Sequence, residues 1–253
     1  ERQEQIVEEL RIAGKVDVET MTARFGVTAQ TVRRDLQELC DRGVALRTHG
    51  GARRIASTSG IGYEERRLFR RTEKEKVGQI AAGLVPNNCS IILNIGTTTE
   101  QVARALTGHQ GLMVVSNNIN VIQIFRNSQL RDLVLVGGGV RQSDGAIVGS
   151  EAVEFISKYK VDYAVIGASS IDTDGSILDF DSREVAVART ILKNARTRIL
   201  VADSSKFDCN APVRICDLAE IDYVIVDSDP PDEFKDAAAK SGTRILSDVE
   251  TYD

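Results

Sequence analysis

Two sets of side chains in this sequence are equipped for chemistry. The first lies in "TAQTVRRDLQEL", residues 28–39, where Thr28 stands at the cap and Gln30, Thr31, Arg33, Arg34 and Gln37 take outward positions on a helix that buries Val32, Leu36 and Leu39. An arginine fork matches the two acceptors of guanine, and a glutamine amide matches adenine. Arg47 and His49 follow in "LRTHGG", where a basic segment suits phosphate oxygens better than bases. The second set is spread along the later chain: Gly96-Thr97-Thr98-Thr99, Ser116-Asn117, Gly138-Gly139, Arg141, Asp179, Glu184 and Lys206. Glycines that free backbone N–H groups, hydroxyls at a helix start and cations are the groups an anion such as phosphate requires.

The elements that must hold the first set are legible from periodicity. Ile6, Val7 and Leu10 mark a helix over Arg2–Ala13, which Gly14 ends. Asp17 caps a second helix with Met21 and Phe25 inward, and Gly26 breaks it. Thr28 caps the third helix after a short turn, as in a helix-turn-helix. "VALRTHGGARRI", residues 44–55, then reads as a hairpin turning at Gly50-Gly51. Three helices and such a hairpin describe a winged helix over residues 1–55. Recognition helices read bases from near their N-terminal end, which is where the arginine pair falls.

"ASTSGIG", residues 56–62, is small and flexible, and residues 56–75 are expected to be a hinge or linker. "YEERRLFRRTEKEK", residues 63–76, is dense in both charge signs and reads as the solvated start of a helix that turns amphipathic at Val77, Ile80, Ala81 and Leu84. Beyond it, "SIILNI", "LMVVS", "DLVLVGG", "DYAVIGAS", "RILVADS", "YVIVDS" and "TRIL" alternate with helical stretches such as 182–195. Continuous Val/Ile/Leu runs between helices predict a parallel sheet buried on both faces, so residues 76–253 form an α/β domain. The second set falls at the carboxyl ends of those strands, where open α/β sheets bind ligands. Neither a Walker A nor a GxGxxG pattern is present, which argues against a nucleotide.

Composition narrows the classes. The chain of 253 residues carries a net charge of −5, yet residues 20–54 hold seven arginines against three acids. A basic patch on an acidic protein is the footprint of a polyanion partner. No apolar run reaches the ~20 residues of a membrane span, and nothing resembles a signal peptide. Cys40, Cys89, Cys209 and Cys216 are scattered, and His49 and His109 are the only histidines, so neither a metal site nor a cofactor is expected. Free thiols fit a reducing cytoplasm.

"VTAQTVRRDLQEL" followed by "LRTHGGA" resembles the amino-terminal signature of the DeoR family of bacterial transcriptional regulators. "IGTTT", "VSNN", "GGGVR", "DGAIVG", "FDSREV" and "ADSSKF" extend the resemblance over nearly the whole chain. It implies that Arg33 and Arg34 belong to a DNA-reading helix. It also implies that the α/β domain is related in fold to ribose-5-phosphate isomerase and binds sugar phosphates. Within the family, residues 144–181 are most similar to the branch associated with glycerol-3-phosphate. Asn94 departs from many relatives, which carry aspartate immediately before "IGTTT".

Two functions compete on these residues. One is a repressor that binds double-stranded operator DNA under control of a phosphorylated small molecule, acting as a homodimer or homotetramer on repeated half-sites. The other is a sugar-phosphate isomerase fused to a DNA-binding module. Isomerisation needs a base and partners for an enediolate. Here Gly167-Ala168-Ser169-Ser170 offers no carboxylate where the isomerase has an acidic turn, and "SILDFDSREV" has no lysine. Glu184 remains from that site. Asp179 and Asp181 suit ligand hydroxyls or helix capping, with capping favoured for Asp181. Asp35 is expected to orient a neighbouring arginine, because a carboxylate would repel phosphate. Binding without turnover is the expectation.

Overall fold

The computed structural model describes residues 2–41, 44–54 and 62–247. Its amino-terminal part opens with α1 (Arg2–Ala13) and a short strand, β1 (Lys15–Asp17). Next comes α2 (Val18–Phe25), capped by the Asp17 carboxylate, which accepts a hydrogen bond from the Thr20 N–H at 2.7 Å. Gly26 closes that helix at φ 62°. Helix α3 (Ala29–Asp41) begins on Thr28, whose Oγ1 accepts from the Thr31 N–H at 3.2 Å. Ile6, Leu10, Met21, Val32, Leu36 and Leu39 from the three helices form one buried cluster.

The wing is β2 (Ala45–Thr48) and β3 (Gly51–Arg54), antiparallel and in register from Ala45 opposite Arg54 to Thr48 opposite Gly51. β1 adds to β3 and makes a three-stranded sheet. Periodicity did not show β1, because its three residues bury only Val16. The strand accounts for Gly51: a Cβ there would meet the Val16 carbonyl oxygen at 2.0 Å. The expected winged helix is therefore present.

The expected hinge, 56–62, lies outside the described residues except for Gly62, which precedes α4. The single solvated helix expected from residue 63 is instead two, α4 (Tyr63–Leu68) and α5 (Arg71–Leu84). They break at Phe69-Arg70, with Arg70 held at φ 49°, a conformation non-glycine residues rarely take. The charges are not all solvated either, since Lys74 is 3% exposed.

The sheet domain then runs β4 (Ser90–Leu93), α6 (Thr97–Leu106), β5 (Met113–Ser116), α7 (Ile119–Phe125) and β6 (Asp132–Leu135). A small hairpin, β7 (Val140–Arg141) and β8 (Ala146–Ile147), leads to α8 (Ser150–Ile156) and β9 (Val161–Ile166). After these come β10 (Ser170–Ile171), β11 (Ser176–Asp179), α9 (Ser182–Lys193), β12 (Ala195–Val201) and β13 (Val213–Asp217). The chain closes with β14 (Tyr223–Val226), α10 (Asp232–Ser241) and β15 (Arg244–Ser247). Seven strands pair in the order β15-β14-β12-β9-β4-β5-β6, every neighbouring pair parallel. These are the seven apolar runs of the sequence. β10, β11 and β13 form a separate antiparallel sheet that the sequence did not announce.

Alternate residues of each parallel strand enter opposite cores. Ile91, Leu93, Val114 and Val165 pack with Val77, Ala81, Val102 and Phe125 from α5, α6 and α7. Ile92, Val115, Ala164 and Ile166 pack with Ile156, Ala188, Ile191 and Phe234 from α8, α9 and α10. The chain leaves β4 towards β5 on one side and returns as β9 on the other. That reversal opens a crevice at the carboxyl ends of β4 and β9.

Candidate functional site

Two surfaces collect the chemistry. On the amino-terminal module, Gln30, Arg33, Arg34 and Gln37 stand on α3 away from its buried face. Thr28 and Thr31 are joined hydroxyl to hydroxyl at 2.9 Å and fix the start of the helix. Arg34 Nε donates to Glu38 at 3.1 Å and Gln37 donates to Asp41 at 2.7 Å, whereas the Arg33 guanidinium has no partner among the described residues. Arg47 on β2 donates to the Arg33 carbonyl at 3.4 Å, so the wing abuts the middle of α3. His49 is exposed in the wing turn. Asp35 does orient an arginine, but the partner is Arg2 of α1 and not an adjacent one. The Arg2 fork donates to it at 2.6 and 3.0 Å, and this bond holds the Asp35 carboxyl below the usual range. The pair clamps α1 to α3 and fixes the aim of the exposed side chains.

The second surface is a cleft over β4 and β9, enclosing about 860 Å³ together with the solvent at its mouth. The Gly96–Thr99 turn forms its floor, since Gly96 at φ 134° turns the end of β4 into α6 without a side-chain cap. The first N–H groups and the dipole of α6 are thereby free to meet an anion. Thr97 and Thr98 line the space. Thr99 also reaches it, but its hydroxyl is already committed to the Asn94 and Gly96 carbonyls at 2.8 and 2.7 Å.

Arg66 from α4, Lys74 from α5 and Lys206 from the 3-10 turn after β12 bring positive charge to the same space. Asp203 caps the turn that carries Lys206. Burial pushes the Asp203 carboxyl up, but Lys206 and Lys74 outweigh it and keep the group ionised. Burial lowers Lys74 to about 8, opposed mainly by Asp203 and reinforced by Lys206, Arg66 and Arg70.

Acceptors occupy the other walls. Asn94 is 5% exposed, and its Oδ1 has no hydrogen-bond partner among the described residues. Glu100 accepts from the Tyr63 hydroxyl at 2.8 Å and from the Asn118 and Asn120 amides at 3.0 and 3.2 Å. Asp144 takes both arms of the Arg141 fork, at 2.9 and 2.6 Å, and Arg141 reaches on to Glu184 at 2.5 Å. Asp179 accepts from the Ser169 hydroxyl at 2.9 Å.

Burial raises the pKa of Asp179, and burial followed by the nearby Asp179 charge raises that of Glu184. An acid with a raised folded pKa costs stability as pH climbs from its unfolded value through its folded one, and the cost persists at neutral pH. Asp179→Asn is therefore expected to raise the melting temperature at pH 7. The gain should shrink as pH falls through the raised folded value, where the wild-type carboxyl takes up its proton, and vanish near the unfolded value of about 4. A thermal melt of both proteins from pH 4 to 8 checks this.

Of the residues expected in an anion pocket, Gly96, Thr97, Thr98, Thr99, Asp179, Glu184 and Lys206 meet in this cleft. Ser116, Asn117, Gly138 and Gly139 do not. The Ser116 hydroxyl donates to the Leu93 carbonyl at 2.7 Å, and the Asn117 amide donates to the Ile147 carbonyl at 3.1 Å, both fully buried. Gly138 packs on the hairpin, where a Cβ would lie 2.9 Å from Ile147 Cγ2. Arg141 stands behind the wall and holds Asp144 and Glu184 in place. Asp181 caps α9 by accepting from the Arg183 N–H at 2.8 Å. Asn118, the third residue of the Ser116-Asn117-Asn118 triplet that ends β5 in the sequence, does line the cleft, whereas Tyr63, Arg66, Lys74, Glu100 and Asp144 were not anticipated, because nothing in their spacing separates them from an ordinary solvated surface.

The amino-terminal residues 2–58 match the DeoR-like helix-turn-helix domain, and residues 70–228 match the DeoR C terminal sensor domain. The chain is 39% identical to the glycerol-3-phosphate regulon repressor of Haemophilus influenzae, over 97% of this chain and 95% of that protein. It is 38% identical to the Escherichia coli protein of the same name, over 91% and 92% of the two chains. Among solved structures, ribose 5-phosphate isomerase A from Methanocaldococcus jannaschii matches with a TM-score of 0.41 and 18% identity, over 55% of each chain.

Proposed function

The chain belongs to the DeoR family of bacterial transcriptional regulators, and we propose that it is a repressor whose grip on operator DNA is set by a small phosphorylated polyol in the cleft, glycerol-3-phosphate first among them. The observation that carries this is the mixed lining of one cleft. An uncapped helix start with Arg66, Lys74 and Lys206 suits a phosphate, while Asn94, Glu100, Asp144, Asp179 and Glu184 suit hydroxyl donors. A purely anionic ligand would waste the carboxylates, and an uncharged polyol would waste the cations. The names of the relatives support the same ligand. Residues Thr28, Gln30, Thr31, Arg33, Arg34, Gln37, Arg47 and His49 would meet the duplex. One α3 helix covers only a half-site, so a homodimer or homotetramer in the cytoplasm is the expected working form.

Calorimetric titration with glycerol-3-phosphate and with glycerol tests the cleft. The phosphate ester is expected to bind and glycerol to give no signal at the same concentrations; equal binding of both would remove the anion reading. Lys74 gives the titration a pH signature, because bound phosphate favours its charged form. Below pH about 8 Lys74 is already protonated and no proton need be taken up. Above that value each binding event takes up a proton, and affinity falls by up to about tenfold per pH unit.

One observation favours the rival reading. Asp179 and Glu184 have raised pKa values, and Lys206 shares their cleft, as an acid–base catalyst would require. Against it, the turn after β9 brings Gly167, Ala168 and Ser169 to the cleft, with no carboxylate among them. Incubation with ribose-5-phosphate should leave the substrate unchanged; a ketose product would establish the isomerase.

A further inference from the structure

Two side chains lie between the cleft and the wing: Tyr63 is bonded in the cleft, and Phe69 touches both the cleft and the wing. The Tyr63 hydroxyl at the start of α4 donates to Glu100 Oε2 at 2.8 Å, inside the cleft. Glu100 is 2% exposed, and its other oxygen accepts from Asn118 and Asn120, so its position is fixed independently of Tyr63. Phe69, at the break between α4 and α5, lines the same cleft. On its other side Phe69 packs against Leu46 of the wing strand β2, which is 6% exposed. Arg66, one turn after Tyr63, has a buried Nε without a partner among the described residues, and its guanidinium lies 3.7 Å from Asp144. Lys74 donates to the Arg66 carbonyl at 2.6 Å and so ties α4 to α5.

We propose that Tyr63 and Phe69 are the positioning residues that carry occupancy of the cleft to the wing. This rests on the reading of the cleft as the effector site. A ligand hydroxyl that donates to Glu100 Oε2 takes the place of the Tyr63 hydroxyl. The bond between α4 and α6 then breaks, while the phosphate draws Arg66 and Lys74 inward. Phe69 moves with those two helices, and Leu46 follows Phe69. The ligand thus favours the arrangement in which Tyr63 is released, and that difference is what shifts the equilibrium. Two short contacts then suffice to link the sites, without any change inside the parallel sheet.

Removing the hydroxyl should move the ligand-free protein part of the way to the ligand-bound arrangement. Operator affinity is measured with and without glycerol-3-phosphate for the wild type and Tyr63→Phe. Effector affinity is measured calorimetrically on the same preparations, and a thermal melt confirms the fold. In Tyr63→Phe the ratio of the two operator affinities is expected to shrink towards one by about 3- to 10-fold, the size of one net hydrogen bond. Glycerol-3-phosphate should still bind, as tightly as before or more so, and ligand-free operator affinity should approach that of the loaded wild type. An unchanged ratio in a folded variant that binds the effector overturns the proposal alone. Absence of glycerol-3-phosphate binding by the wild type overturns the reading of the cleft and this inference with it.

Discussion

Arg33→Ala is expected to weaken binding to the cognate operator roughly 10- to 100-fold, the range for one bidentate base contact. Affinity for glycerol-3-phosphate should not change. The expectation follows from how firmly α3 is held. Thr28 fixes its first turn, the Arg2 fork clamps Asp35 from α1, and Val32, Leu36 and Leu39 are buried beneath. Arg33 alone of the pair projects a guanidinium with no partner among the described residues, so its fork is available without breaking another contact. Arg34 is engaged by Glu38 at 3.1 Å, an exposed pair of small value. Arg34→Ala should therefore cost less than Arg33→Ala. Arg33→Lys separates the two modes of contact. A phosphate contact would tolerate the lysine, whereas a bidentate base contact would be lost with the fork. Gel-shift titrations at two salt concentrations measure both, since loss of a phosphate contact also lowers the salt slope.

Lys206→Met is expected to weaken glycerol-3-phosphate binding roughly 10- to 100-fold, the worth of a charge-assisted hydrogen bond. Operator affinity without effector should stay as in the wild type. The side chain is carried by the capped 3-10 turn after β12 and makes none of the contacts that hold α3, so its loss should not reach that helix. A second readout distinguishes removal of a charge from general disturbance of the cleft. Lys206 is one of the charges that depress Lys74, so its removal should move the Lys74 midpoint upward from about 8. The pH at which glycerol-3-phosphate affinity begins to fall should rise with it. Weaker binding with an unmoved midpoint would mean that Lys206 and Lys74 do not share the phosphate.

Residues whose surroundings are set by their own periodicity were the readable ones. The seven parallel strands are buried on both faces, so they appear as unbroken Val/Ile/Leu runs, and each bounding helix carries its own stripe. The winged helix was readable because Asp17, Gly26, Thr28 and Gly50-Gly51 mark its ends locally. β10, β11 and β13 were not, since strands of two to five residues are too short to show a period, and β11 finds β13 only across a long sequence gap. The cleft was half readable for a related reason. Residues beyond strand ends could be placed near a common mouth, but backbone pleating decides which way each points. Ser116 and Asn117 turn to backbone carbonyls, and Asn118 alone of that triplet faces the cleft. Tyr63, Arg66 and Lys74 were hidden most completely. In sequence they belong to a highly charged stretch, and only the break at Arg70 folds that stretch across the mouth of the sheet.

The claim on which the rest depends is that a phosphorylated ligand in the cleft alters how tightly α3 and the wing hold duplex DNA. Operator binding by the wild-type protein, measured across a glycerol-3-phosphate titration with glycerol as the control, tests it most directly. A shift in operator affinity of about 5- to 150-fold is expected with the phosphate ester, the usual span of coupling between two sites, and none with glycerol. Identical operator affinity at every concentration of glycerol-3-phosphate, in a preparation shown by calorimetry to bind it, would contradict the claim.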